Sequence, residues 1–176
     1  MRALIIIPLL LLAACGDGKR EAAQRLAEME AENAKQEYLL DLQAFDLPLV
    51  VSLPEVIDPG ADSTYAKAKW NEEFGHLRVT AGPRFAITIT EDDGDVARLK
   101  ADLERDMLRK HSILEEGPDL LVYRQEYPDD ALVFVHFYQV VEADGRRFVV
   151  ESAGDGRFNE ADVAFMVRSV RPNIPL

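Results

Sequence analysis

The hydrophobic pattern divides the chain into three stretches. Residues 3–14 are an unbroken run of 12 uncharged, mostly apolar positions, closed at once by Gly16, Asp17, Gly18, Lys19 and Arg20. A membrane-spanning helix needs about 20 such residues. The run is too short to cross, but it has the length of the h-region of an export signal, with Arg2 and the free amine as a positive n-region. Residues 19–42 are rich in Ala, Glu, Gln, Lys and Leu and contain no Gly or Pro, which predicts a helix. Its apolar seam is sparse: Ala22, Leu26 and Met29 are followed by Asn33 and Gln36, then Leu40. Asn and Gln at two seam positions weaken a coiled coil, so the pattern reads as a solvated spacer helix reaching about 36 Å. Oligomerisation through the seam is the alternative.

From residue 45 onward the period changes. Residues 47–53 predict a strand, Asp58-Pro59-Gly60 a turn, and residues 65–70 either a strand or a short helix. Residues 76–81 alternate Leu77, Val79 and Ala81 against His76, Arg78 and Thr80, and residues 85–90 alternate Phe85, Ile87 and Ile89 against Ala86, Thr88 and Thr90. With Gly82-Pro83 between them they predict a hairpin. A helix follows, with Val96, Leu99, Leu103 and Met107 on one face. Three more strands are expected over 120–127, 131–142 and 146–152, the last two joined at Asp144-Gly145, a favoured two-residue hairpin turn. Residues 133–141 are apolar on both faces, which predicts a central strand covered on both sides. Asn159 or Asp162 starts a final helix with Val163, Met166, Val167 and Val170 inward, stopped before Pro172.

Strands, helix, strands, helix make an α+β fold: a mostly antiparallel sheet with helices packed on it, preceded by a helical stalk. This element order, with the spacing F-G-x-L-x-V-x-x-G-x-x-F-x-I-x-I from Phe74 to Ile89, resembles the Mog/PsbP-like α/β/α sandwich. The resemblance implies a binding or assembly protein and transfers no functional residue. The competing fold is a two-layer α+β domain with helices on one face.

Leu12-Ala13-Ala14-Cys15 resembles the lipobox of bacterial lipoproteins, and Cys15 is the sole cysteine. The resemblance implies a thioether-linked diacylglycerol on Cys15, cleavage before it, and an N-acyl chain such as palmitate on the new amine. Two or three acyl chains make attachment effectively permanent. Gly16 after the cysteine implies an outer-membrane lipoprotein facing the periplasm, although Asp17 blurs that sorting signal. The organisation is thus a signal peptide over 1–14, a lipid anchor and helical spacer over 15–44, and a globular domain over 45–176.

Composition narrows the partners. Lys and Arg total 20 against 32 Asp and Glu, a net charge of −12, which argues against nucleic acid as a main partner. One cysteine excludes an intrachain disulfide within this sequence. No G-x-S-x-G, H-E-x-x-H, C-x-x-C or phosphate-loop pattern occurs. His76, His111 and His136 lie on separate elements without ligand spacing; His136 reads as a core or interface histidine, His76 and His111 as solvated. Glu91-Asp92-Asp93-Gly94-Asp95 fails the EF-hand register: with Gly94 at position 6, positions 1 and 12 are Ile89 and Lys100. It reads as a turn in which Asp93 or Asp95 caps the next helix. Adjacent carboxylates, Glu115-Glu116 and Asp129-Asp130, point apart and make poor acid–base couples. Arg146-Arg147 reads as solvated edge charge, with an anion site as the alternative. No catalytic residue, metal site or cofactor beyond the lipid on Cys15 is expected. The expected role is a non-enzymatic binding or scaffolding module, anchored to the membrane, with an envelope protein as partner and Trp70, Tyr65 and Arg124 as candidate anchors. A small-ligand carrier with a pocket between sheet and helices is the alternative, and a hydrolase using dispersed carboxylates and histidines is a third reading.

Overall fold

The computed structural model describes residues 38–54, 66–128 and 132–174. The lipobox with Cys15, residues 19–37 of the expected spacer helix, the 58–60 turn, Tyr65 and the Asp129-Asp130 pair lie outside the described residues.

Among the described residues ten strands form two sheets. Strands β1 (Tyr38–Asp41), β2 (Leu49–Leu53) and β10 (Val170–Pro172) make a small sheet in the order β1-β2-β10. The larger sheet has the order β3-β4-β5-β9-β8-β7-β6, built from β3 (Ala66–Asn71), β4 (His76–Ala81), β5 (Ala86–Glu91), β6 (Lys110–Glu116), β7 (Leu120–Glu126), β8 (Val133–Ala143) and β9 (Arg146–Ser152). Every neighbouring pair is antiparallel. Helices α1 (Val96–Arg105) and α2 (Glu160–Ser169) complete the α+β fold.

The period-2 pattern sorts the two faces of the large sheet. Leu77, Val79, Ile87, Ile89, Phe148, Val150, Val135, Phe137 and Val141 point into one core with Leu49 and Val51 of the small sheet and with Val163 and Met166 of α2. Their alternating neighbours form the other face. There Asp95, at the start of α1, donates its N–H to the Tyr138 hydroxyl at 3.0 Å. A methyl group on Gly94 would lie 2.5 Å from Val140 Cγ2 and 3.1 Å from Val149 Cγ2. One helix therefore packs against each face, and β8 is covered on both sides, as its continuous apolar pattern requires.

Local chemistry sets the boundaries. Asp95 caps α1, its side chain accepting from the Arg98 N–H. Asn159 and Asp162 form a reciprocal capping box on α2. Asp144 and Gly145 both take positive φ, 53° and 71°, which the two-residue β8–β9 turn demands.

Five expectations are corrected, one of them the end of the final helix, which stops at Ser169 so that Val170 belongs to strand β10 instead of the helix face. The spacer helix does not extend to residue 42: Tyr38–Asp41 is a strand registered from Tyr38↔Leu53 to Asp41↔Val50, so the folded body begins ahead of residue 45. Pairing with the β2 edge and partial burial of Leu40 outweigh local helix propensity. Helix α1 stops at Arg105, and Met107 is 91% exposed rather than inward. Lys110–Glu116, expected as no element, is edge strand β6; as an edge with a bulge between Ile113 and Glu115 it carries no alternation to read. Finally, Arg146 and Arg147 belong to the middle strand, not an edge.

Candidate functional site

Two of the three histidines converge. His76, at the start of β4, stacks on Phe74 at 5.9 Å and stays apart. His111 of β6 and His136 of β8 lie on the α1 face of the sheet, one on each side of Tyr123 of β7. Register places Tyr123 opposite His136 and Gln125 opposite His111. The ring centroids are 5.8 Å apart for His111–Tyr123 and 5.7 Å for Tyr123–His136. Burial pushes the Tyr123 hydroxyl up to about 12, so it stays protonated at neutral pH.

The His111 side chain is not solvated: only 5% of it is exposed. Its place follows from Asp106, the residue that joins α1 to β6. Asp106 Oδ2 accepts from His111 Nε2 and from Arg109 Nε, both at 2.9 Å. Its Oδ1 accepts from the backbone N–H groups of Leu108 at 2.9 Å and Arg109 at 3.3 Å. These donors, His111 foremost, hold the Asp106 carboxyl well below the usual carboxylate range. His111 Nδ1 is buried without a hydrogen-bond partner.

His136 is a buried histidine, as its strand context predicts. Its Nδ1 lies 2.9 Å from Ser152 Oγ, which also accepts the Phe137 N–H at 3.3 Å. Burial pushes the imidazole below its ordinary value, so the ring is neutral at pH 7. Which of the two groups donates follows the tautomer of the ring. His136 lines a cleft of about 340 Å³ together with Gln125, Tyr127, Leu132, Phe134 and the 154–157 segment.

The polar walls of that cleft are uneven in charge. Gln125 Nε2 donates to the Tyr127 hydroxyl at 2.7 Å, and Arg109 Nη1 reaches Gln125 Oε1 at 3.4 Å. Asp155 is held by Arg78 at 2.8 and 3.0 Å, which keeps its carboxyl below the usual range. Arg157 lies over the Phe134 ring at 5.9 Å, and no carboxylate among the described residues pairs with it. The cleft thus combines an aromatic wall, a histidine edge and a cation whose charge is not matched. Further along the same face, the Glu151 carboxyl is raised by desolvation among its neighbours.

The acidic turn is engaged internally. Glu91 receives Arg146 through Nε at 2.9 Å and Nη2 at 2.6 Å, Asp92 accepts the Gly94 N–H at 2.7 Å, and Asp95 caps α1. Arg146 also lies over Phe148 at 5.2 Å, and Arg147 reaches Asp119 at 3.3 Å. Both cations of the expected anion site are therefore partnered. Among the described residues no group of three His, Cys, Asp or Glu could hold a metal ion. Trp70 is partly exposed on edge strand β3, and Arg124 pairs with Glu160 at 2.6 Å.

A shallow groove runs between α2 and the outer strands. One part, about 360 Å³, is lined by Leu114, Val122, Val163 and Val167; the adjoining part, about 550 Å³, by Val133, Val135, Arg124 and Glu160.

The meeting of His111, Tyr123 and His136 was not legible from local spacing. The alternation of the expected strands 120–127 and 131–142 places Tyr123 and His136 each on a face, but only register makes it the same face. The chain matches no protein-family model, no curated protein and no solved structure.

Proposed function

We propose that the chain is a bacterial envelope lipoprotein, held through Cys15 in the outer membrane facing the periplasm, whose body binds a small anionic ligand and does no chemistry on it. The observation that carries the binding role is the unmatched Arg157 cation in a cleft that His136 also lines, walled by Phe134, Tyr127 and Leu132. A carboxylate or phosphate would meet the Arg157 guanidinium and its apolar part the rings. On a chain of net charge −12 such a spot stands out. The histidines support binding over catalysis. Among the described residues Asp106 bonds His111 and Ser152 bonds His136, with Tyr123 between the rings, an arrangement that puts no carboxylate and nucleophile on the same imidazole.

The test is a thermal-shift panel on the full chain with benzoate, phenyl phosphate and their neutral and cationic counterparts. Anions alone should stabilise, and Arg157→Gln should remove the effect. Stabilisation by neutral compounds, or an unchanged response in Arg157→Gln, overturns the reading. For the anchor, metabolic labelling with an alkynyl fatty acid should mark the chain and miss Cys15→Ser; a labelled variant sinks it.

The groove along α2 favours a second reading, in which an envelope protein seats an apolar segment against Val133, Val135 and Val167. In that case Val133→Glu removes a specific in-cell crosslink while leaving the anion response intact.

A further inference from the structure

The connection between α1 and β6 presents an anomaly. Met107 is 91% exposed and Leu108 80%, adjacent and side by side in sequence at the tip of a loop. Single exposed apolar side chains are ordinary on any surface. Here, however, the loop is not slack. Asp106 accepts the backbone N–H groups of Leu108 and Arg109, and its other oxygen binds Arg109 Nε and His111 Nε2. A half-buried carboxylate with four donors thus fixes a turn whose two most outward side chains are hydrocarbon.

The surroundings repeat the theme. Lys110 pairs in register with Glu126, and Glu126 with Val133, so the loop lies at the same end of the sheet as the β7–β8 connection. There Tyr127, Leu132 and Val133 are also exposed, at 37%, 38% and 50%. Residues 105–110 carry three cations, Arg105, Arg109 and Lys110, against one carboxylate, whereas the sequence of the β7–β8 connection carries Glu126, Asp129 and Asp130, so the cations are local to the 105–110 tip. Arg105 and Lys110 meet Asp102 and Glu126 only through pairs at 3.3 and 3.2 Å with exposed cations, which headgroup phosphates can replace.

We infer that the 106–109 loop is a membrane-contacting tip that seats Met107 and Leu108 at the headgroup–acyl boundary, with Arg105 and Lys110 against lipid phosphates. This rests on the reading of Cys15 as the lipid anchor. Apolar tips flanked by cations favour the bilayer interface, where hydrocarbon gains by burial and cations gain by phosphate contact. The tether permits it: residues 16–37, fully extended, reach about 75 Å at most. The anchor alone holds the chain to the bilayer, and the tip orients the body. It turns the β7–β8 end, and the cleft lined by Arg157 and His136, toward the membrane, and leaves the Asp144-Gly145 turn pointing away.

The experiment uses the full lipoprotein in vesicles of phosphatidylethanolamine and phosphatidylglycerol. Trp70 is the only tryptophan, so a Trp70→Phe background allows a single reporter. Leu108→Trp reports the tip. Phe74→Trp, at the β3–β4 turn and 66% exposed, reports the opposite end of the sheet. Leu108→Trp should emit to the blue and be quenched by acyl-brominated lipid several-fold more strongly than Phe74→Trp. Equal quenching, or water-like emission from Leu108→Trp, overturns the proposal. So does a blue shift without bromine quenching, which means a protein surface covers the tip. Should Leu108→Trp fail to fold, Met107→Trp gives the same readout. Acyl labelling at Cys15 is scored separately. A labelled chain with an unquenched tip sinks the tip alone; an unlabelled chain with a quenched tip sinks the anchor alone.

Discussion

Arg78 holds both carboxylate oxygens of Asp155, at 2.8 and 3.0 Å, although 77 positions separate the two residues. The contact joins β4 to the segment after β9. It also removes the one negative charge from the described wall of the cleft that Arg157 and His136 share. The anion-binding reading depends on that neutralisation.

Arg78→Met should therefore weaken binding of a small anion without touching the cleft lining. The expected loss is up to about fivefold, the scale of an exposed ion pair of about 0.2–1 kcal/mol. Titration of phenyl phosphate by calorimetry measures it. Asp155→Asn in the Arg78→Met background should restore part of the affinity, because the uncovered carboxylate is then gone.

Asp106→Asn should lower stability at neutral pH and loosen the 106–109 loop. The folded-state value of Asp106 is depressed below 3.8 by His111 and the loop N–H groups. Its contribution is present above the unfolded value and is lost as pH falls through the folded value. Urea melts of the two proteins should differ at neutral pH and begin to converge on acidification below about pH 3.8. A gap that persists unchanged in acid assigns the role to packing instead.

Glu151→Gln should act with the opposite sign. Crowding by its neighbours partly desolvates the Glu151 carboxyl and raises it above 4.5, although the side chain stays open to solvent. The folded state then binds the proton more tightly than the unfolded chain, so stability falls as pH rises through that window. The variant should be more stable near neutral pH, by less than about 1 kcal/mol because Glu151 remains open to solvent. The gain should vanish below about 4.5.

Gly94→Ala should cost about 1–3 kcal/mol, the range of an overpacked core. The position has φ of +67°, and the added methyl would sit 2.5 Å from Val140 Cγ2. Val140→Ala should recover part of the loss in a double-mutant cycle. No recovery would mean that backbone strain alone is responsible.

Elements whose pattern is enforced locally are readable from the residues alone. Leu77-Val79-Ala81 and Ile87-Ile89 read as strands because one face is buried and side chains alternate. The Asp144-Gly145 turn and the Asn159 cap are chemical signals that few other residues can send. The two-sided apolar run of β8 announced a strand covered on both faces. All of this depends on neighbours within a few residues.

Tertiary structure decided what depends on partners far along the chain. Tyr38–Asp41 is a strand only because the β2 edge is there to pair with; alone it belongs to a good helix former's run. Lys110–Glu116 is a strand because β7 supplies the ladder, and as an edge it needs no alternation. His111, polar and flanked by charge, reads as solvated, yet Asp106 and Tyr123 bury its ring. The approach of His111, Tyr123 and His136 is a matter of strand register across β6, β7 and β8. Register is set by the summed burial of whole strands, and no short stretch of sequence encodes that sum.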